Sequence, residues 1–242
     1  MTSYCRFRRS LLCAVLGAAC GWAPAAQAAR PMVVDDARIV DPQSCQLETW
    51  RRSYRDRFEY WALPGCNPGG NVEFTLGSAK LANNGDAADD YSRTVQLQGK
   101  TIFHKLETNG HAWGLAVGGS VRPPTLGDQV PNYYAYVPYT KSLLDDRWFI
   151  HANLGVQRQG VSPATGATAG IGTEYEVIPR VFAMVEAYGD NHTLPSYQGG
   201  LRMWVVPNHI QIDATVGTQA GALGANRWFS IGLRVLTAPF LR

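Results

Sequence analysis

The sequence predicts an all-β fold, a transmembrane antiparallel up-and-down β-barrel of about 12 strands (10 at the lower count), behind an N-terminal signal peptide. Three observations predict it. Polar and apolar side chains alternate with period two in repeated segments of about ten residues. No apolar run reaches the ~20 residues that a membrane-spanning helix needs, so any crossing of a bilayer must use a closed sheet. Short and long connections alternate strictly along the chain, as the periplasmic turns and external loops of bacterial barrels do.

The first element is residues 1–28. Arg6, Arg8 and Arg9 make a positive start, Leu11 to Ala19 a short apolar run, and Ala26-Gln27-Ala28 a cleavage signal. This is the layout of a secretory signal peptide, too short to span a bilayer. Cys20 follows Gly17-Ala18-Ala19, but the branched apolar residue of a lipoprotein signal is missing three positions before it. The segment carries three of the 22 basic residues and no acidic one, which leaves 19 of each sign. A neutral chain with no basic run excludes an electrostatic case for nucleic acid.

Residues 29–43 are expected as a periplasmic N-terminal arm that folds back to the barrel base, and residues 44–242 as the barrel. The expected strands are 44–53, 57–64, 71–82, 91–106, 112–122, 133–143, 147–159, 167–178, 181–189, 196–206, 209–220 and 227–238. Residues 209–217 show the alternation best: Ile210, Ile212, Ala214 and Val216 share one face, and Gln211, Asp213 and Thr215 the other. Trp148, Leu154 and Val156 oppose His151, Asn153 and Gln157 in the same way, and Phe229, Ile231, Leu233 and Val235 oppose Ser230 and Arg234. The hairpin at Tyr54-Arg55-Asp56 is the one short member of the long class. Even strand number leaves both termini at the turn end. Aromatic residues near strand ends (Tyr60, Trp113, Tyr133, Tyr134, Trp148, Tyr188, Tyr197 and Trp228) are expected to form interfacial girdles. The chain closes on Phe240-Leu241-Arg242, without the terminal aromatic of the usual assembly signal.

Cys5, Cys13 and Cys20 leave with the signal. Cys45 opens the first strand and Cys66 follows the second, both at the turn end, so an oxidising compartment would join them in a disulfide.

Charges facing lipid near the bilayer midplane cost about 2–4 kcal/mol for Arg or Lys, so those within strands must turn inward. Parity assigns Glu48, Glu59, Glu73, Glu174, Glu176, Glu186 and Asp213 to the lumen as acids, with Lys100, His104, His151, Arg202 and Arg234 facing them. Two readings stand: a narrow wet pore selecting small solutes, or ion pairs that close and fill the lumen. No metal site and no cofactor are expected. Asp86, Asp89 and Asp90 lack calcium-loop spacing. The glycine pairs at 118–119 and 199–200 lack the G-K-[ST] of a phosphate loop.

The expected partners are outer-membrane lipid, the barrel-assembly machinery and a small-molecule solute, with no nucleic acid. Catalysis is not expected, because no G-x-S-x-G elbow is present and no serine shares the strand face of His151 and Asn153 at short range. Two rivals remain at this point: an outer-membrane lipid hydrolase and a soluble periplasmic barrel that binds a ligand inside.

Arg30-Pro31-Met32-Val33-Val34-Asp35-Asp36, Gln46-Leu47-Glu48 and Asn71-Val72-Glu73 resemble motifs of the meta-pathway phenol-degradation family of outer-membrane barrels. Val34 stands where that family has a threonine before the two aspartates. The resemblance implies an outer-membrane channel-like protein tied to uptake of aromatic or hydrophobic compounds. It implies no catalytic residue.

Overall fold

A computed structural model describes residues 32–83, 91–121, 131–159, 162–221 and 226–241. The expected signal peptide, the first residues of the arm, the acidic stretch at 86–90 and the larger part of three long connections lie outside them, and most of the loop expected at 160–167 is the start of β8. Among the described residues twelve strands run in chain order: β1 (Ser44–Tyr54), β2 (Arg57–Asn67), β3 (Val72–Asn83), β4 (Tyr91–His104), β5 (His111–Val121), β6 (Asn132–Leu143), β7 (Trp148–Gln159), β8 (Ser162–Ile178), β9 (Val181–Asp190), β10 (Ser196–Val206), β11 (Ile210–Gln219) and β12 (Trp228–Leu236). Each pairs antiparallel with its sequence neighbours. β1 and β12 close the barrel in register from Gln46 opposite Leu236 to Tyr54 opposite Trp228. Closure leaves no free sheet edge, which is what allows strands to sit in hydrocarbon.

The barrel is inside-out relative to a soluble protein. Leu97, Leu154, Ile171, Val185, Val216 and Ile231 are exposed on the outer wall, and Glu73, Lys100, Glu174, Arg202, Gln211 and Arg234 are buried. Period two produces both faces at once, because successive side chains in a strand point to opposite sides. The outer belt supplies the apolar band that a hydrocarbon core requires. Leu154, 69% exposed in the middle of β7, gives a direct check. Leu154→Arg is expected to cost about 2–4 kcal/mol of folding free energy in lipid vesicles, the range for a midplane arginine. A barrel surrounded by water would hardly register the change.

The girdle expectation holds in part. Tyr60, Trp113, Tyr133, Trp148 and Tyr197 are exposed outside. Tyr134, Tyr188 and Trp228 are not on that surface: Tyr134 and Tyr188 line an internal cavity, and the buried Trp228 donates its indole N–H to Gln198. Parity explains this, since Tyr134 alternates with the outward Tyr133 and Trp228 with the outward Phe229.

Short turns define one end of the barrel. At two of them proline precedes a residue of positive φ, Pro179 before Arg180 (71°) and Pro207 before Asn208 (60°), the pattern of a type II turn. Asn109 and Asp145, also of positive φ, tie two adjacent turns together: the Asn109 amide donates to the Asp145 carboxylate at 2.6 Å and accepts the Asp145 N–H at 2.9 Å. Cys45 and Cys66 lie directly opposite across β1 and β2 and are joined. The entry to β1 and the C-terminal residues meet there. The Gln43 N–H donates to the Asn67 carbonyl, and the N–H groups of Phe240 and Leu241 donate to the Gln43 carbonyl.

Candidate functional site

The lumen is occupied by the chain's own residues 32–43. The segment was expected as an arm at the base. It climbs from the turn end to mid-barrel, and each step is met by a side chain from a different strand. Val40 donates its N–H to Glu73 on β3 and accepts from Asn67 on β2. Ala37 donates to Thr140 on β6. Asp35 donates its N–H to Asn153 on β7, whose amide nitrogen donates back to the Asp35 carbonyl. Val33 and Val34 both donate to the Glu186 carboxylate on β9, each at 2.8 Å. An isolated strand in a polar lumen has no sheet partner, and buried backbone groups must be paired. Here the barrel wall pairs them side chain by side chain.

Shape follows the same logic. Inward-facing Gly170 and Gly172 on β8 leave room for the arm: a Cβ at Gly172 would lie 2.2 Å from the Met32 methyl, and one at Gly170 2.7 Å from Val34 Cγ2. Ala37 packs with Ile102 and Ala112, with Ile39 and Leu106 beside them.

Charge completes the fit. Asp35 takes Lys100 at 2.8 Å and the Tyr136 hydroxyl at 2.7 Å. Asp36 takes Arg38 at 2.7 Å, and the Arg38 guanidinium lies 5.0 Å over the Phe149 ring. Burial acts to raise the Asp36 carboxyl, but Arg38 and Lys100 beside it outweigh burial and hold it below the usual carboxylate range. This residue belongs to the arm and not to a spanning strand.

Most of the expected lumen residues are buried inside. Glu73, Glu186 and Lys100 hold the arm. Glu174 on β8 bridges Arg202 on β10 and His151 on β7, and the other ring nitrogen of His151 meets the Thr140 hydroxyl at 3.0 Å. Arg234 sits 3.6 Å from Glu48 and donates to Gln46, which donates to Glu73. Asp213 lies opposite Arg202 in the β10–β11 register. Glu59 is half-buried and accepts the Trp61 indole N–H. Glu176 is half-buried and pairs with the exposed Arg147 at 3.4 Å, at the turn rim.

His104 is different. The β4–β5 register shifts between Ile102 and His104, so the parity that buries Lys100 and Ile102 fails at the next alternate position. His104 is exposed, stacked on His111 and bonded to the His111 carbonyl. Parity reasoning alone also missed Asn67, Gln98, Thr140 and Gln198, neutral groups that carry no charge to force them inward, and Asp35, Asp36 and Arg38 of the arm.

Two cavities flank the arm. One, of about 380 Å³, opens toward the long loops and has Val33 and Val34 among its walls. The other, of about 270 Å³, opens toward the short turns beside Arg38, Glu174 and Arg202. Among the described residues no group of three or more His, Cys, Asp or Glu could hold a metal ion.

With this geometry in view, the barrel is similar to that of the KdgM porin in complex with disordered oligogalacturonate: TM-score 0.60 and 8% identity, covering 78% of this chain and 98% of that one. It is similar also to the NanC porin, with TM-score 0.54 and 10% identity over 81% of this chain and 100% of that one. At such identities the likeness is one of fold. No curated protein matches the chain. A family model described as "Uncharacterised conserved protein UCP029691" matches residues 14–237.

Proposed function

The chain belongs to this family, and we propose that it is an outer-membrane channel for small molecules whose passage is closed by its own N-terminal segment. The observation that carries the reading is the arm itself. It separates a loop-side cavity from a turn-side cavity within one continuous barrel wall, and its anchors are hydrogen bonds and ion pairs that water can replace one by one. Each neutral bond of this kind is worth about 0.5–1.5 kcal/mol and each bond to a charged group about 1.5–3 kcal/mol. A lumen meant only to be filled needs no detachable segment, because side chains alone can fill it. The porin fold of its structural neighbours supports the same reading. The signal peptide expected at residues 1–28 and the barrel-assembly machinery that would insert the strands belong to it, with the loop side facing outward.

The rivals fit less well. Thr140 and His151 do form a hydroxyl–imidazole–carboxylate chain with Glu174, but the Thr140 hydroxyl accepts the Ala37 N–H, and the hydroxyl and the imidazole are fully buried. No substrate reaches it, so a structural role is favoured over hydrolysis. A soluble barrel would leave its apolar belt in water.

The test is flux. Full-length protein in liposomes is expected to pass small neutral solutes slowly, and a variant lacking residues 32–40 to pass them at least tenfold faster. If neither protein admits any solute, the barrel is structural and the channel reading fails.

A further inference from the structure

We infer that the loop-side cavity is a binding site for a neutral, polyhydroxylated ligand of oligosaccharide type. The inference deepens the channel reading and rests on it for biological meaning. The cavity, at about 380 Å³, falls in the range of about 300–1,000 Å³ typical of small-molecule sites. Its walls are chemically selective. Four carboxamides, Gln96, Gln98, Asn153 and Gln157, converge on it from β4 and β7. A carboxamide donates and accepts at once, which suits a hydroxyl that does the same. Tyr134 and Tyr136 contribute two rings that lie nearly parallel, with centroids 6.1 Å apart and an angle of 22° between them. Such rings offer apolar faces to the C–H side of a sugar while the amides meet its hydroxyls.

Charge disfavours the acidic alternative. Among the described residues lining the cavity there is no lysine or arginine, and the one charged side chain is Asp190. That carboxylate already accepts the N–H groups of His192 and Thr193 and the Gln157 amide. An anionic sugar would meet one like charge and no cation on the described lining. Asn153 already serves the arm, Gln98 accepts from the Tyr134 and Tyr136 hydroxyls and Gln157 donates to Asp190, so a purely apolar solute would chiefly desolvate the Gln96 amide, which costs free energy. The oligogalacturonate bound by the similar porin is acidic, so on this reading the two proteins share a wall but not a ligand charge.

Gln96 is the position to test, because it is half-buried at the cavity and holds no element of the arm. Full-length protein in detergent would be titrated calorimetrically with maltotriose, with trigalacturonic acid and with phenol. Maltotriose is expected to bind, and the acid and phenol to bind at least tenfold more weakly. Gln96→Leu is expected to weaken maltotriose by about two- to tenfold, the worth of one hydrogen bond. Gln96→Lys is expected to raise the affinity for the acid by a similar factor. Retention of the compact form on unheated gels shows that each variant is folded. Absence of maltotriose binding, equal or tighter binding of the acid or of phenol, or indifference of all three ligands to both substitutions would each overturn the proposal. Binding without flux in any arm variant would instead support the site and sink the channel. Flux without saccharide preference would do the reverse.

Discussion

Replacing Gly170 with leucine is expected to make a barrel that conducts rarely open about ten times as often. Gly170 faces inward on β8, and a Cβ there would sit 2.7 Å from Val34 Cγ2. That is well inside contact distance, and valine cannot swing aside as the Met32 methyl could opposite Gly172. Forced overpacking costs about 1–3 kcal/mol. The arm can escape that cost by leaving, at the expense of the two N–H bonds that Val33 and Val34 make to Glu186 and the paired bonds of Asp35 with Asn153. Once it leaves, those wall groups meet water in an open lumen, so little is left unpaired. The bonds still favour the closed state, but the overpacking burdens that state alone, so an increase of about tenfold in open probability is expected, since 1.4 kcal/mol is tenfold at equilibrium. Single-channel recording of Gly170→Leu against Gly170→Ala, where the crowding is smaller, checks it. Unchanged closure in the leucine variant would mean that the arm does not seal the passage.

The second large effect concerns stability. Glu174→Ala is expected to destabilise the folded barrel by about 3–5 kcal/mol, the range for breaking a buried ion pair from one side. Glu174 is the acid shared by Arg202 and His151, and all three are almost fully buried. Removing it takes from Arg202, which lies opposite Asp213 in the β10–β11 register, its partner on β8, and leaves the His151 ring short of one partner. Glu174→Gln keeps the shape and part of the hydrogen bonding, so its loss should be smaller. Urea titration of the unheated gel band for the two variants reads the difference. Equal and small losses would show that the cluster is hydrated and not the packed interior described here.

The strands were legible because each barrel wall separates two solvents, and a period of two records that separation residue by residue. Ile171, Tyr175 and Val177 face outward as their alternation with Glu174 requires. The same rule located Glu174, Arg202 and Arg234. It could not say which would touch, because partners such as Thr140 with His151 and Glu174 with Arg202 depend on closure and on register between strands. It failed at His104, where one register shift breaks the count. It also gave no reason to place the arm in the lumen. Residues 32–43 have neither strand nor helix periodicity, and the signals that receive them are dispersed: two glycines on β8, one glutamate on β9 and one asparagine on β7. The resemblance at residues 30–36 holds at the level of an outer-membrane barrel, and the matching family model is described only as an uncharacterised conserved protein.

The placement of the arm can be read directly by a cross-link. Cysteines at Ala37 and Thr140 should join under mild oxidation in the full-length protein, in lipid, because the Ala37 backbone lies against the Thr140 side chain, its N–H 2.8 Å from the hydroxyl. Peptide mapping by mass spectrometry would then show the 37–140 link beside the native Cys45–Cys66 bridge, and the closed conductance would persist until reduction. Formation of the native bridge alone, with residue 37 freely alkylated, would contradict an arm held inside the barrel.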